Sequence, residues 1–339
     1  MTQVRETIGA ELDRVLGEVL PRRIDSACFI DPPASPNVGD PVIFLGQLDY
    51  MRRAHPGCRM WFVDQANYAP HMDRWIERTS VLLVQGGGNF GDIWQETHEF
   101  CLRILQRFAH KTIVQLPVSI HFSDPARASR TAGILAGLRD FRLMTRDQNS
   151  QDYALQHFPG EPTLAPDMAF AMAPITRKDP VVDYVCLLRS DREAAADHDA
   201  ILDVLRGLNA TFEVGDWLDE TDHDLLAADA RISSRLNRRP IAMWFQRGAA
   251  LRARERYSRG RLAVGIERLS RGRTVITDRL HAHVLCCLLG IPHFVLDSFD
   301  GKVSAMHRTW THAFPFARFV ESPAALAGLL QSPPLPTAP

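Results

Sequence analysis

No stretch of this 339-residue chain approaches the ~18 consecutive apolar residues of a membrane-spanning helix. The first twenty residues carry Arg5, Glu6, Glu11, Asp13 and Arg14, so the basic start and apolar block of a secretion signal are missing. Cysteine is sparse: Cys28, Cys58, Cys101, Cys186, Cys286 and Cys287 are scattered, mostly within apolar runs where a reduced thiol behaves as a small hydrophobe. No CxxC or HExxH spacing occurs, and His281 and His283, two apart on an expected helix, would point in different directions, so no metal is expected. A Gly-x-Ser-x-Gly elbow is also missing, which leaves a serine hydrolase unsupported. No internal repeat has a fixed period. These absences lead to the expectation of a cytoplasmic globular protein.

The composition, 45% hydrophobic and 23% charged, suits a soluble globular chain, and the length suggests two domains of roughly 150 residues. Short apolar runs alternate with amphipathic stretches, which predicts α/β architecture with parallel sheets. After a helix ending near Leu20, strands are expected at 27–30, 60–63, 81–84, 112–116 and 142–145. Prolines and charges at 173–180 break the periodicity and read as a linker. A second series of strands follows at 181–188, 211–214, 274–276 and 293–296. The expectation is two Rossmann-like domains, 1–174 and 181–331, facing across a cleft, with a proline-rich tail at 332–339 that does not pack.

In open parallel sheets ligands bind at the carboxyl ends of strands, so the loops there carry the chemistry. Thr277-Asp278-Arg279-Leu280-His281 ends a strand as a helix begins, where unpaired N–H groups and the helix dipole favour an anion. Arg146 and Arg189 stand at two further strand ends, a recurrence that ordinary surface exposure of arginine does not explain. Gly86, Gly87, Gly88, Asn89, Phe90 and Gly91 follow the 81–84 strand and match G-x-G-x-x-G formally. The dinucleotide reading fails on context, because this is about the third βα unit and the next strand ends in Gln115-Leu116-Pro117 without an acid. The glycines are expected instead to let the backbone approach a phosphate or sugar. Asn37 and Asp40 lie in the first βα loop, either as a turn with a helix cap or as hydrogen-bonding groups for a polyhydroxylated ligand.

The net charge of −1 conceals polarisation: thirteen arginines between Arg231 and Arg273 face only Glu255 and Glu267, a local balance of +11. One reading is a solvated helical surface that also pairs with acidic elements elsewhere; the other is a face for an anionic partner such as lipid head groups or a diphosphate-linked substrate. The aromatics there, Trp244, Phe245 and Tyr257, are not spaced as a base-stacking platform, so nucleic acid is not expected.

Five segments in order resemble the polysaccharide pyruvyltransferases, in the branch that modifies bacterial exopolysaccharides. They are Asn37-Val38-Gly39-Asp40, Gln85 to Phe90, Arg146-Asp147 with Ser150, Ala165-Pro166-Asp167, and Thr277 to His281. The resemblance spans roughly 36–302 and implies a glycosyltransferase-B-like pair of Rossmann domains. It also implies phosphoenolpyruvate as co-substrate, no cofactor or metal, and a pyruvate ketal on a sugar as product. Arg279 and His281, flanking Leu280, match the family's donor-contacting motif, Arg146 or Arg189 would supply another donor arginine, and Lys302 would match a family lysine. Arginines suit a phosphate and a carboxylate, and histidine suits proton delivery near neutral pH. Asp40 or Asp92 would act as base. The partner would be a saccharide acceptor, lipid-diphosphate-linked if the basic segment 231–273 makes peripheral contact with an anionic membrane. Competing readings are a nucleotide-sugar glycosyltransferase of the same fold, with Glu213 holding a ribose, and a non-catalytic scaffold at a membrane.

Overall fold

Two wholly parallel sheets organise the chain, each built from the buried apolar runs that the sequence marks. The computed structural model describes residues 2–191, 193, 197–208, 210–219, 223–238 and 242–336, with side chains at 2–3 and 233–246 outside the description. The first sheet contains β1 (Ser26–Ile30), β2 (Arg59–Val63), β3 (Val81–Val84), β4 (Gly87–Gly91), β5 (Thr112–His121), β6 (Asp140–Thr145) and β7 (Thr163–Leu164). Its order is β2-β1-β3-β5-β6-β7, with β4 pairing with β5 off this path. The second contains β8 (Val182–Leu187), β9 (Phe212–Gly215), β10 (Gly272–Thr277), β11 (His293–Val295) and β12 (Ala317–Phe319), in the order β12-β11-β10-β8-β9.

The helices are α1 (Thr2–Val19), α2 (Gly39–Ala54), α3 (Asp73–Glu77), α4 (Gln95–Arg107), α5 (Pro125–Ala136) and α6 (Gln148–His157) around the first sheet. Those of the second half are α7 (His198–Arg206), α8 (His223–Arg238), α9 (Ala242–Ser270), α10 (Leu280–Leu289), α11 (Lys302–Thr309) and α12 (Pro323–Leu330). Local chemistry sets several boundaries: Asp147 accepts the Ser150 N–H at 2.9 Å as the cap of α6, and Gly290 closes α10 in the left-handed region at φ 69°. Every residue of α10 is buried, because it is wedged between its own sheet, α9 and α2. The 29-residue α9 packs on α2 and β2 of the first half and on α10 and β10 of the second.

The strand expectations hold to within a residue or two, except at the glycine segment and at β5. Gly87 to Gly91 is a strand rather than a loop, paired with the far half of β5 beyond a register shift around Pro117, and the following helix starts at Gln95. Proline has no N–H for the ladder, so the irregularity falls there. Gly91, at φ 140°, lies so close to the His121 carbonyl that a Cβ would overlap it, and a Cβ on Gly86 would come 2.6 Å from the Pro117 carbonyl. These glycines serve backbone contact between strands.

The basic segment is also not one exposed face. Arg254 is buried, pairing with Asp64 (2.7 Å) and Asp229 (2.9 Å) while lying over Phe62, and Arg261 is buried with a bond to the Trp217 carbonyl (2.6 Å). Arg271 forks onto Glu213 at 2.6 and 2.7 Å. Part of the local positive charge is thus spent on partners elsewhere in the fold, with Arg254 joining α9 to two acids, while Arg252 and Arg256 remain exposed. In the tail, Leu335 is partly buried against the second sheet's outer cluster, so the tail packs more than its proline content implies. Residues 337–339 lie outside the described residues.

Candidate active site

Strand order reverses beside β1 in the first sheet and beside β8 in the second, and the loops leaving both reversal points line one cavity of about 370 Å³. This is the position expected for a ligand in open parallel sheets, and the volume falls in the range of roughly 300–1,000 Å³ for small-molecule sites. From the first half come Asn37 and Asp40 after β1, Gly88 and Asn89 in β4, and Arg146 after β6. The second half supplies Arg189 after β8, Arg279, Leu280 and His281 after β10, and Lys302 at the start of α11. Leu280 borders the cavity while its side chain packs with Val295, Val303 and Met306.

Each cation is held by carboxylates. Arg146, 1% exposed, donates to Asp167 (2.7 Å) and through Nε to Ser119 (2.8 Å). Arg189 pairs with Asp191 (2.9 Å) and Glu193 (2.6 Å). Arg279 bonds Asp216 and Asp191, the latter at 3.2 Å, with its guanidinium carbon 5.5 Å from the Trp217 ring centroid. Lys302 bonds Glu193 and lies 3.3 Å from Asp300. Burial alone would push the Asp191 carboxyl up, but Arg189, Arg279 and the Glu193 N–H bring it down to about 2. A Cβ on Gly88 would lie 3.6 Å from Arg146 Nη2 and 3.8 Å from Lys302 Nζ, so this glycine faces the cations of both halves.

His281 stands where the halves meet. Its Nε2 is 3.4 Å from both Asp167 Oδ2 and Arg146 Nη1, and its ring packs on Gly39, where a Cβ would overlap it. Burial opposes ionisation of Asp167, yet the bond to His281, the charges of His281 and Arg146, and the Ala169 N–H hold its carboxyl well below the usual range. Asp40 shows the opposite balance: desolvation raises its carboxyl above the ordinary value, only partly offset by His281 and by the Asn37 amide, which donates at 3.0 Å. A carboxylate raised in this way is a better proton acceptor.

Some expected residues fall elsewhere. Asp92 does not line the cavity; its Oδ2 accepts from the Ser123 N–H (2.7 Å), the Ser123 hydroxyl (2.9 Å) and the Asp124 N–H (2.9 Å), which spends it on a turn. Gly86 and Gly87 also lie off the lining, serving the β4 to β5 approach, although a Cβ on Gly87 would come within 3.9 Å of Asp40. Glu213, bonded to Arg271 within an edge strand, is not at the cavity and cannot hold a ribose there. Asp167 lay in a quoted motif without a role, whereas Asp191, Glu193, Asp216, Trp94 and Trp217 carried no spacing signal at all.

His283 has partners that the two-residue spacing to His281 hides. It shares one face of α10 with Cys287, four residues on, and β11 brings His293 alongside, so their ligating atoms lie within 4.8 Å of one another. The ring nitrogens are already satisfied: His283 Nδ1 meets His293 Nε2 at 2.7 Å, His283 Nε2 meets Thr311 Oγ1 at 2.6 Å, and His293 Nδ1 meets the Ile291 carbonyl at 2.7 Å. Neutral tautomers complete this chain, and burial lowers both rings, His293 to about 4.

Comparison with known proteins relates the chain to a family. Pyruvyl transferase 1 of Schizosaccharomyces pombe is 29% identical over 304 residues, covering 85% of this chain and 70% of that protein. EpsO of Bacillus subtilis, whose name assigns it provisionally to pyruvyl transfer, is 29% identical over 316 residues, covering 90% and 91%. A Klebsiella pneumoniae protein of uncharacterised function superposes with a TM-score of 0.57 at 18% identity over 93% of this chain and 99% of that one, a likeness of fold alone. The polysaccharide pyruvyl transferase model matches residues 37–300, from the first cavity loop to the turn before Lys302, and the chain belongs to that family.

Proposed function

We propose that this protein moves the pyruvyl group of phosphoenolpyruvate onto a sugar of an exopolysaccharide or its precursor, forming a pyruvate ketal and releasing phosphate. The observation that carries this is the convergence of Arg146, Arg189, Arg279, Lys302 and His281, from both halves, on one cavity. Arginine and lysine clamps suit a donor with a phosphate and a carboxylate, and the reading places the two halves in a glycosyltransferase-B-like arrangement. In this reading His281 delivers a proton to C3 of the donor as a sugar hydroxyl adds to C2. Asp40, with its raised carboxyl, accepts the hydroxyl proton. The bond from C2 to the phosphate oxygen then breaks with its electron pair going to phosphate. A second hydroxyl of the same sugar closes the ketal and gives up its proton, so that phosphate leaves protonated.

We assign the reaction no metal or cofactor and place the protein in the cytoplasm, with a saccharide acceptor that is lipid-diphosphate-linked. Peripheral contact with an anionic membrane would use exposed arginines of 231–273, Arg252 and Arg256 among them. Co-sedimentation with anionic vesicles that weakens as salt rises checks this contact. The reaction is tested by supplying the purified protein with phosphoenolpyruvate and a lipid-linked oligosaccharide. Phosphate and an acid-labile ketal should appear together. Turnover of a uridine diphosphate sugar, with none of phosphoenolpyruvate, would refute the assignment.

A further inference from the structure

The cavity's charge is at odds with a donor carrying both a phosphate and a carboxylate. Arg146, Arg189, Arg279 and Lys302 are already matched by Asp167, Asp191, Glu193, Asp216 and Asp300. A polyanion entering this set meets spent cations unless one carboxylate gives way.

The carboxylates are not held alike. Asp167 accepts the Ala169 N–H at 2.8 Å, Asp216 the Ser190 N–H at 3.0 Å, and Asp191 the Glu193 N–H at 3.1 Å, so main-chain donors fix all three. Asp300 is fixed by the Ser298 hydroxyl at 2.8 Å. The Glu193 side chain accepts from Trp94 Nε1 (3.0 Å), Arg189 Nη2 (2.6 Å) and Lys302 Nζ, all three on residues that line the cavity. Its backbone is tied separately, its carbonyl accepting the Phe299 N–H at 3.2 Å, so the carboxylate can leave by rotation of its own side chain. A carboxylate held by one indole N–H, one guanidinium and one ammonium is chemically what a substrate carboxylate or phosphate would look like in the same place.

We propose that Glu193 is a resident anion: its carboxylate occupies the anion subsite formed by Arg189, Lys302 and the Trp94 N–H, and phosphoenolpyruvate displaces it on binding. This rests on the donor reading above. Glu193 then sets donor affinity and favours ligands with two anionic groups, since a weaker anion does not replace the bonds it breaks. Because Trp94 belongs to the first half and Glu193 to the second, the bond between them also joins the halves while the donor is absent.

The test titrates full-length protein with phosphoenolpyruvate, and separately with inorganic phosphate, by calorimetry. Glu193→Gln keeps the shape and removes the competing charge, and should bind phosphoenolpyruvate at least about tenfold more tightly. Unchanged or weaker donor binding by a folded Glu193→Gln protein overturns the proposal and leaves the donor reading standing. If Glu193→Gln does not fold, a structure of the wild-type complex decides. Glu193 still bonded to Arg189 and Lys302 beside bound donor overturns the proposal, and a rotated Glu193 supports it. Failure of phosphoenolpyruvate to bind any of these proteins refutes the donor reading itself.

Discussion

Replacing Asp167 by asparagine removes one charge from the point where the two halves meet. The carboxylate is fully buried, 2.7 Å from Arg146 Nη1 and 3.4 Å from His281 Nε2, with its other oxygen on the Ala169 N–H at 2.8 Å. Breaking a buried ion pair from one side strands the partner charge, at a cost on the order of 3–5 kcal/mol. Asparagine keeps an acceptor for Arg146, so the expected loss is at the lower end, about 3 kcal/mol at pH 7. The pH dependence gives a second signature. Because the folded carboxyl lies below its unfolded value, its stabilisation is present above about pH 3.9 and disappears as pH falls further, a limb the variant should lack. Asp167 does not reach the cavity and acts as a positioning residue, so kcat for ketal formation should fall roughly 10²-fold through misplacement of His281 and Arg146. Urea unfolding at pH 7 and pH 3, with steady-state kinetics on the same preparations, measures all three effects. Loss of less than about 1 kcal/mol together with unchanged kcat would refute the coupling of this ion pair to the site.

Three further outcomes follow from the geometry. Gly39→Ala places a methyl group against the His281 ring and should reduce kcat by roughly 10²-fold or more while donor affinity, read by calorimetry, changes much less. Gly91→Ala combines a φ of 140° with overlap of the His121 carbonyl, so it should prevent recovery of folded protein, whereas Gly88→Ala, with 3.6 Å of room, should fold and weaken donor binding. Burial holds His293 at about 4 and lowers His283 well below the usual imidazole value, so the folded state takes up these protons later than the unfolded state. Stability should therefore fall as pH drops from 6.5 toward 4, by on the order of 3 kcal/mol for His293 alone, and His293→Gln should flatten that limb in thermal melts.

Much of the scaffold was legible because a buried parallel strand is a short apolar run and little else in the sequence resembles one. Val81–Val84 is completely buried and its limits are those its composition marks. Strand-end residues were legible for a related reason: a parallel sheet puts the carboxyl ends of its strands at one edge, so Arg189 and Arg279 had to share the edge of the second sheet, and Arg146 that of the first. Asp92 misled because an acid in a strand-end loop has equal claim to a ligand and to a turn, and the N–H groups at Ser123 and Asp124 decided for the turn. The glycine segment misled because glycine answers any demand for close approach, and here the nearest partner was the β5 backbone.

By itself the sequence determined the two-domain α/β plan, the cavity edge and the family, since each depends on periodicity, strand ends and motif order along the chain. Tertiary structure alone decided how the charges are spent. Ion pairs join residues far apart in sequence, as Arg254 joins Asp64 and Asp229, and Lys302 joins Glu193. Local spacing contains no record of such pairs, because Coulomb and hydrogen-bond energies depend on distances that appear only when the sheets pack. The arginine-rich stretch was expected to pair with acids elsewhere, but that Arg254 would be buried as a tie from α9 to Asp64 of the first half, while Arg252 and Arg256 stay exposed, was decided only by packing.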